Sequence, residues 1–290
     1  MTAMKTTKVT QVGRIRLIST AALSSAIALT LVAAPADAAV RFVPVDAAIC
    51  KKRNSQGTGK SEVTHLPNNK KNKYNGGDGN DKIYGGKKDD IINGGRGNDI
   101  VFGGGGNDVV CGGIGNDKVY GDEGNDRVFG EEDNDFLDGG EGDDSLNGQA
   151  GIDKLIGYGK SGGEFTENGI DLLDGSFEAD TLIAGGGDTL IGGAENDNLS
   201  TKTPDIGVKK MDGGIGNDTI FGSEANDDLL FGDIGDDTIR GLGGDDNLDG
   251  GGADDDLSGG SGTDVCDGGD GNDKADDSCE RKLNVPKPVF

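Results

Sequence analysis

The chain has 290 residues, 56 of them glycine, with a formal net charge of −25 and an apolar content of 32%. So little apolar matter under so much like charge excludes a chain that folds by burial alone; it stays disordered or something neutralises the acid. The acidity also argues against nucleic acid and anionic membrane as partners.

The first 38 residues have the layout of a secretory signal. Lys5, Lys8, Arg14 and Arg16 form a basic start, Leu17–Ala34 is apolar and uncharged, and Ala36-Asp37-Ala38 is an A-x-A cleavage site. The expectation is cleavage after Ala38 and a secreted, extracellular chain of net charge about −28 with no membrane span of its own.

Residues 39–75 are basic, with Arg41, Lys51, Lys52, Arg53, Lys60, Lys70, Lys71 and Lys73 against Asp46 and Glu62. Two readings are open: a patch for a cell-surface or cell-wall polymer, or an N-terminal cap and linker. The cap is favoured, because a repeat array must cover its first core layer. His65 stands alone here, without the partners of a triad or a zinc site.

From Gly76 a nine-residue register begins: GGDGNDKIY, GGKKDDIIN, GGRGNDIVF, GGGGNDVVC, GGIGNDKVY. Glycine and acid fill the first six positions, and one aliphatic residue sits at the eighth. One apolar side chain per nine residues cannot make a helix face or a lone strand, whereas stacked copies make a continuous core. A first block spans 76–200 with a degenerate stretch at 157–168, read as a surface bulge. Residues 201–212 form an insertion loop around Pro204, a second block spans 213–276, and 277–290 are a C-terminal cap or tail. The eighth position runs Ile83, Ile92, Val101, Val110, Val119, Val128, Leu137, Leu146 and Leu155, and in the second block Ile220, Leu229, Ile239, Leu248, Leu257, Cys266 and Ala275.

Glycines at positions one, two and four permit positive φ and close backbone approach, so a tight turn can aim its carbonyls at one point. An aspartate closes each turn at position six: Asp81, Asp90, Asp99, Asp108, Asp117, Asp126, Asp135, Asp144 and Asp153, then Asp218, Asp227, Asp237, Asp246, Asp255, Asp264 and Asp273. Hard oxygens in a flexible loop suit Ca2+; magnesium demands a stricter octahedron, and the loops lack the His and Cys that zinc or copper prefer. Solvated turn chemistry would also place Asp after Asn or Gly, but not in one fixed phase over so many copies. The three residues after each Asp form a strand with its eighth residue inward and its neighbours outward. Two units then make one coil, and nine or ten coils make a rod of about 45 Å.

There is no H-E-x-x-H element, and the glycine run Gly103–Gly106 precedes no helix, so no catalytic residue is assigned. A non-enzymatic calcium-binding protein is the first reading. An adhesion or cell-surface module and a polysaccharide-acting or toxin-related protein are the alternatives. Four cysteines in a secreted chain suggest disulfides. Sequence alone permits three pairings, of which Cys50–Cys111 with Cys266–Cys279 would staple the two ends.

Units such as Gly94-Gly95-Arg96-Gly97-Asn98-Asp99 and Gly112-Gly113-Ile114-Gly115-Asn116-Asp117 carry a specific resemblance. The chain resembles the secreted haemolysin-type calcium-binding repeat proteins, the RTX family, over about 200 residues. The resemblance implies an all-β fold, a parallel β-roll or β-helix solenoid, with Ca2+ held between loops of units n and n+2. Carried onto this chain, the sixth-position aspartates are the carboxylate ligands, and loop glycines such as Gly77, Gly79, Gly95, Gly97, Gly104, Gly106, Gly113 and Gly115 supply carbonyls. Lys88, Glu178, Glu195, Ala225 and Ala253 replace the family's glycine, and Gly162 its aspartate, which weakens the expectation of a site there. The N-terminal signal departs from family members that leave the cell by a C-terminal one.

Overall fold

The computed structural model describes residues 57–161, 164–166, 169–202, 207–227 and 229–285. All of them belong to the second of the chain's two compact units, Asp46–Phe290. The signal and its cleavage site, Cys50, Gly162 and Pro204 lie outside the described residues.

The chain winds into a parallel solenoid. Alternate strands join two 12-stranded parallel sheets, the first from Val63–His65 to Lys274–Ala275 and the second from Lys73–Asp78 to Arg281–Leu283. Each coil is two nonapeptides: Val101 pairs with Val119 and Val110 with Val128. The eighth-position side chains meet between the sheets as a single apolar column, with Ile92, Val101, Leu137, Leu146, Leu199 and Leu248 fully buried. A nine-residue chain segment has one apolar side chain to bury, and stacking is the arrangement that buries all of them.

The roll is longer than nine or ten coils because both flanks join it. Val63–His65 pairs with Lys82–Tyr84, and Arg281–Leu283 pairs with Val265–Asp267. Segments read as cap and tail therefore carry strands themselves, and at about 4.8 Å per strand the rod is roughly 50 Å long. His65 belongs to that first strand and stacks on Tyr84, with ring centroids 4.4 Å apart. At the far end Cys266 and Cys279 form a disulfide with Cα atoms 5.9 Å apart. Glu280 accepts the backbone N–H of Asp264 at 2.6 Å, filling the place of a further coil's aspartate. Cys111 is also disulfide-bonded.

Most strands run six residues rather than three, as in Ile100–Gly105 and Val109–Ile114. They continue into the first three positions of the next unit, because the parallel ladder satisfies the backbone of those glycines as well: Gly104 pairs with Asp122 and Gly105 with Glu123. The inward residue near 230 is Leu230, fully buried and paired with Met211; Leu229 is displaced by the one-residue insertion.

The array absorbs its irregularities locally. After Ile156 the chain leaves as an antiparallel hairpin, Gly159–Ser161 with Glu164–Thr166. It returns so that Leu146 pairs with Leu173. The insertion near 201–210 resumes register at Met211, opposite Leu190, and its Val208 is buried in the core rather than carried on the surface.

Candidate metal centre

The turn between sheets is built around the sixth-position aspartate. Each of these side chains is buried; Asp99 and Asp108 are 1% exposed. One carboxylate oxygen joins the coils: Oδ1 of Asp99 accepts the backbone N–H of Asp81 at 2.6 Å, Asp117 that of Asp99 at 2.6 Å, and Asp135 that of Asp117 at 2.8 Å. This chain of bonds crosses the hairpin, where Asp180 takes the N–H of Asp153 at 2.7 Å across 27 residues, and another chain through Asp108, Asp126 and Asp144 crosses it at Asp171. Beside it runs a second ladder at position five, in which Asn80 accepts from Asn98 at 3.0 Å and Asn98 from Asn116 at 3.2 Å.

The other oxygen, Oδ2, has no hydrogen-bond partner although it is buried. This holds for Asp81, Asp99, Asp108, Asp117, Asp126, Asp135, Asp144 and Asp153, for Asp180 and Asp197, and for Asp218, Asp237, Asp246, Asp255, Asp264 and Asp273. An isolated buried carboxylate oxygen is costly, so such a column needs a proton or a cation. Desolvation pushes many of these carboxyls up. Asp99, Asp126 and Asp153 rise to about 6, Asp108, Asp117 and Asp144 to about 7, Asp180 to about 8 and Asp135 to about 9. Like charge in the neighbouring coil raises several further, as Asp99 does Asp117, while the inter-coil backbone N–H opposes the rise.

Oxygens of the next coil lie close to each orphan. A methyl group added to Gly94 would stand 2.5 Å from Asp99 Oδ2 and 2.6 Å from the Gly112 carbonyl oxygen, so only glycine leaves this gap open. The turns also need the left-handed backbone at positions two and four: φ is 102° and 124° at Gly77 and Gly79, 120° and 127° at Gly95 and Gly97, 104° and 110° at Gly104 and Gly106, and 124° and 123° at Gly113 and Gly115. Where glycine is replaced, Asp133, Glu178, Glu195 and Ala253 still hold positive φ, whereas Lys88 and Ala225 do not.

Three turns differ. Asp90 Oδ2 accepts the N–H of Gly86 at 2.8 Å, Asp188 that of Gly185 at 2.6 Å and Asp227 that of Ser223 at 2.6 Å. These turns close on their own carboxylate, and they hold Lys88, a one-residue deletion and Ala225 respectively. Asp180 and Asp197 continue the ladder of Asp81 to Asp153, and Asp171 and Asp188 continue that of Asp108 to Asp144. Their signal was the nine-residue phase itself, carried past the hairpin.

Among the described residues no three His, Cys, Asp or Glu side chains gather as a metal cluster. The donor set is instead one carboxylate per turn plus backbone carbonyls, all hard oxygen, which fits Ca2+.

The geometry defines a class: a parallel β-roll whose turns present buried, oxygen-rich gaps in a strict nine-residue period. The family profile of the RTX calcium-binding nonapeptide repeat (4 copies) matches residues 75–110, 112–146, 138–159, 165–199, 210–239, 224–257, 231–266 and 241–275. These stretches cover more than half of the chain, and the chain belongs to that family of calcium-binding repeat proteins. Among solved structures it is similar to a hyperactive, Ca2+-dependent, β-helical antifreeze protein from an Antarctic bacterium, with 22% identity, 73% of this chain and 83% of that chain covered, and a TM-score of 0.44. No curated protein matches the chain.

Proposed function

We propose that this chain is a secreted, non-enzymatic protein whose β-roll forms when extracellular calcium binds. The observation that carries this reading is the column of buried Oδ2 atoms without partners. A cation between turns supplies what the column lacks, and the carbonyls of loop glycines complete the oxygen shell. In calcium-poor surroundings the acidic chain repels itself, which suits export unfolded; at millimolar calcium outside the cell, binding free energy becomes folding free energy.

Within this reading the ligands are the aspartates with an orphaned Oδ2. Asp90, Asp188 and Asp227 are assigned no ion, because their second oxygen is already bonded within its own turn. The test is circular dichroism and calorimetry on the chain without its first 38 residues. Strand signal should appear on adding millimolar calcium and vanish in chelator; equal strand signal in both buffers would overturn the proposal.

A further inference from the structure

The outer face of the first sheet carries a row of side chains that the calcium turns do not use. On successive strands Val63, Lys82, Ile100, Lys118, Phe136 and Lys154 stand in register, a lysine in every second coil. Lys118 and Lys154 are exposed and Lys82 is half-buried. The ion pairs among the described residues involve Lys71, Lys210, Arg240 and Lys282, and none of these three. Beyond Lys154 the row continues through Thr181, Asn198, Thr219, Thr238 and Asp256, and no further lysine appears in it until Lys274 in the last strand. At about 4.8 Å per strand, the three lysines repeat every ~10 Å over a length of about 19 Å.

Two residues further along each strand, an aromatic ladder runs beside this row. His65, Tyr84, Phe102 and Tyr120 stack with centroids 4.4, 5.0 and 4.8 Å apart and interplanar angles of 3°, 5° and 8°. Their faces are turned to one another, so the ladder shows solvent its ring edges. An aromatic ring is negative on its face and positive on its edge. The Lys82 ammonium lies 5.1 Å from the Tyr84 centroid and 5.7 Å from that of Phe102, which brings the two rows together. Lysines and ring edges thus make one positive strip on a chain whose formal net charge is −25. The ladder, though not the lysine row, ends where Asp138 follows Tyr120 in the register. On the Lys118 strand the carboxylates of Asp122 and Glu123 belong to residues four and five positions on, about 13 Å or more along the backbone.

We propose that this strip binds a sparsely charged acidic polysaccharide laid along the rod, its carboxylates on Lys82, Lys118 and Lys154 and its sugar rings against Ile100, Phe136 and the ladder. Ammonium and carboxylate supply charge-assisted hydrogen bonds, and the ring edges add to the positive field. Spacing selects the polymer. A nucleic-acid strand carries a charge about every 3.4 Å, several for each lysine, and most would go unmatched. In a chain that alternates a charged with a neutral sugar, carboxylates recur with the alternation of lysine and apolar side chain seen here. The inference takes the calcium-loaded roll of the reading above, in which bound cations offset the acid that would repel a polyanion.

The test is isothermal titration calorimetry on the chain without its first 38 residues, in millimolar calcium at low salt. The probes are a hyaluronate oligosaccharide, which carries one carboxylate per disaccharide, a neutral chitin oligosaccharide of equal length, and oligothymidylate. The expected result is saturable binding of the hyaluronate oligosaccharide that weakens with added salt, none of the chitin oligosaccharide, and weaker binding of oligothymidylate. Lys82→Gln, Lys118→Gln and Lys154→Gln should each weaken hyaluronate binding about two- to fivefold, and the triple variant about tenfold or more. Lys274→Gln, in the same sheet but past the strip, should leave it unchanged. The substitutions are made singly as well as together, so a folding defect in one leaves the others informative. Binding that does not saturate, equal affinity for the neutral oligosaccharide or for oligothymidylate, or lysine variants that bind like the parent would overturn the assignment. Circular dichroism of the same samples, with calcium and in chelator, reads failure of calcium-driven folding apart from failure of this strip.

Discussion

At the residue scale, the sixth-position aspartate divides its two oxygens between the inter-coil hydrogen bond and, on the proposed reading, the ion. Oδ1 ties coil to coil; Oδ2 is left over, and its environment decides whether a turn can hold an ion. Asp117→Asn should therefore remove calcium from the calorimetric stoichiometry, since its Oδ2 has no partner. Asp227→Asn should leave the stoichiometry unchanged, since Ser223 already satisfies that oxygen. Equal losses in the two variants would show that the orphaned atom is not what selects the site. Glycine acts through space as well as through φ. A Cβ on Gly113, where φ is 124°, would stand 2.1 Å from the Gly95 carbonyl oxygen. Gly113→Ala should raise the calcium midpoint of folding by circular dichroism, because strained backbone and clash act together.

At the element scale, each strand depends on its neighbours and little on itself. Leu146 is fully buried between Val128 and Leu173 in the ladder, although its own segment offers no other large core side chain. Truncation by Leu146→Ala should cost about 2–5 kcal/mol in urea unfolding at saturating calcium. The C-terminal strand follows directly on a covalent tie, the disulfide of Cys266 with Cys279. With Cys279→Ser, amide protection should fall over Arg281–Leu283 and remain over Val119 and Leu137, because stability in a solenoid is local to neighbouring coils. Uniform loss along the roll would instead indicate a single cooperative unit.

At the scale of the whole molecule, the formal charge of −25 meets a column of carboxyls whose protonated form the fold favours. In calcium-free buffer the folded roll binds more protons than the unfolded chain between the ordinary carboxylate range and the raised values. Those values lie at about 6 to 7 for Asp99, Asp117 and Asp144 and at about 9 for Asp135. Stability without calcium is thus greatest in acid and falls as pH rises through that window. Calcium requires the ionised carboxylates, so its affinity should rise over the same window. Circular dichroism in chelator should show more strand at pH 4.5 than at pH 7.5; the opposite order would contradict these raised carboxyls.

The nine-residue phase was enough to place the strands, the inward residues from Ile83 to Leu155 and the aspartate column, because a solenoid repeats the same local solution. Of the three pairings open to the sequence, the preferred one of Cys266 with Cys279, two residues close in the chain near the array's end, is formed. Other features depended on contacts between coils 17 to 27 residues apart. The glycines extend each strand because a neighbouring ladder bonds them. Leu230 rather than Leu229 turns inward because Met211 fixes its register. The basic start and the tail join the sheets because an open end offers unpaired backbone. The turns of Asp90 and Asp227 look much like the others in sequence; whether the second oxygen is spent within the turn depends on φ at Lys88 and Ala225 and on the N–H groups it reaches. The sequence determined by itself that this is a periodic, acidic roll of calcium-binding repeats. Which carboxylate oxygens stay unpaired, and which outward side chains line up beside Tyr84 and Phe102, only the stacked structure decided, because both are set by the coil above and the coil below.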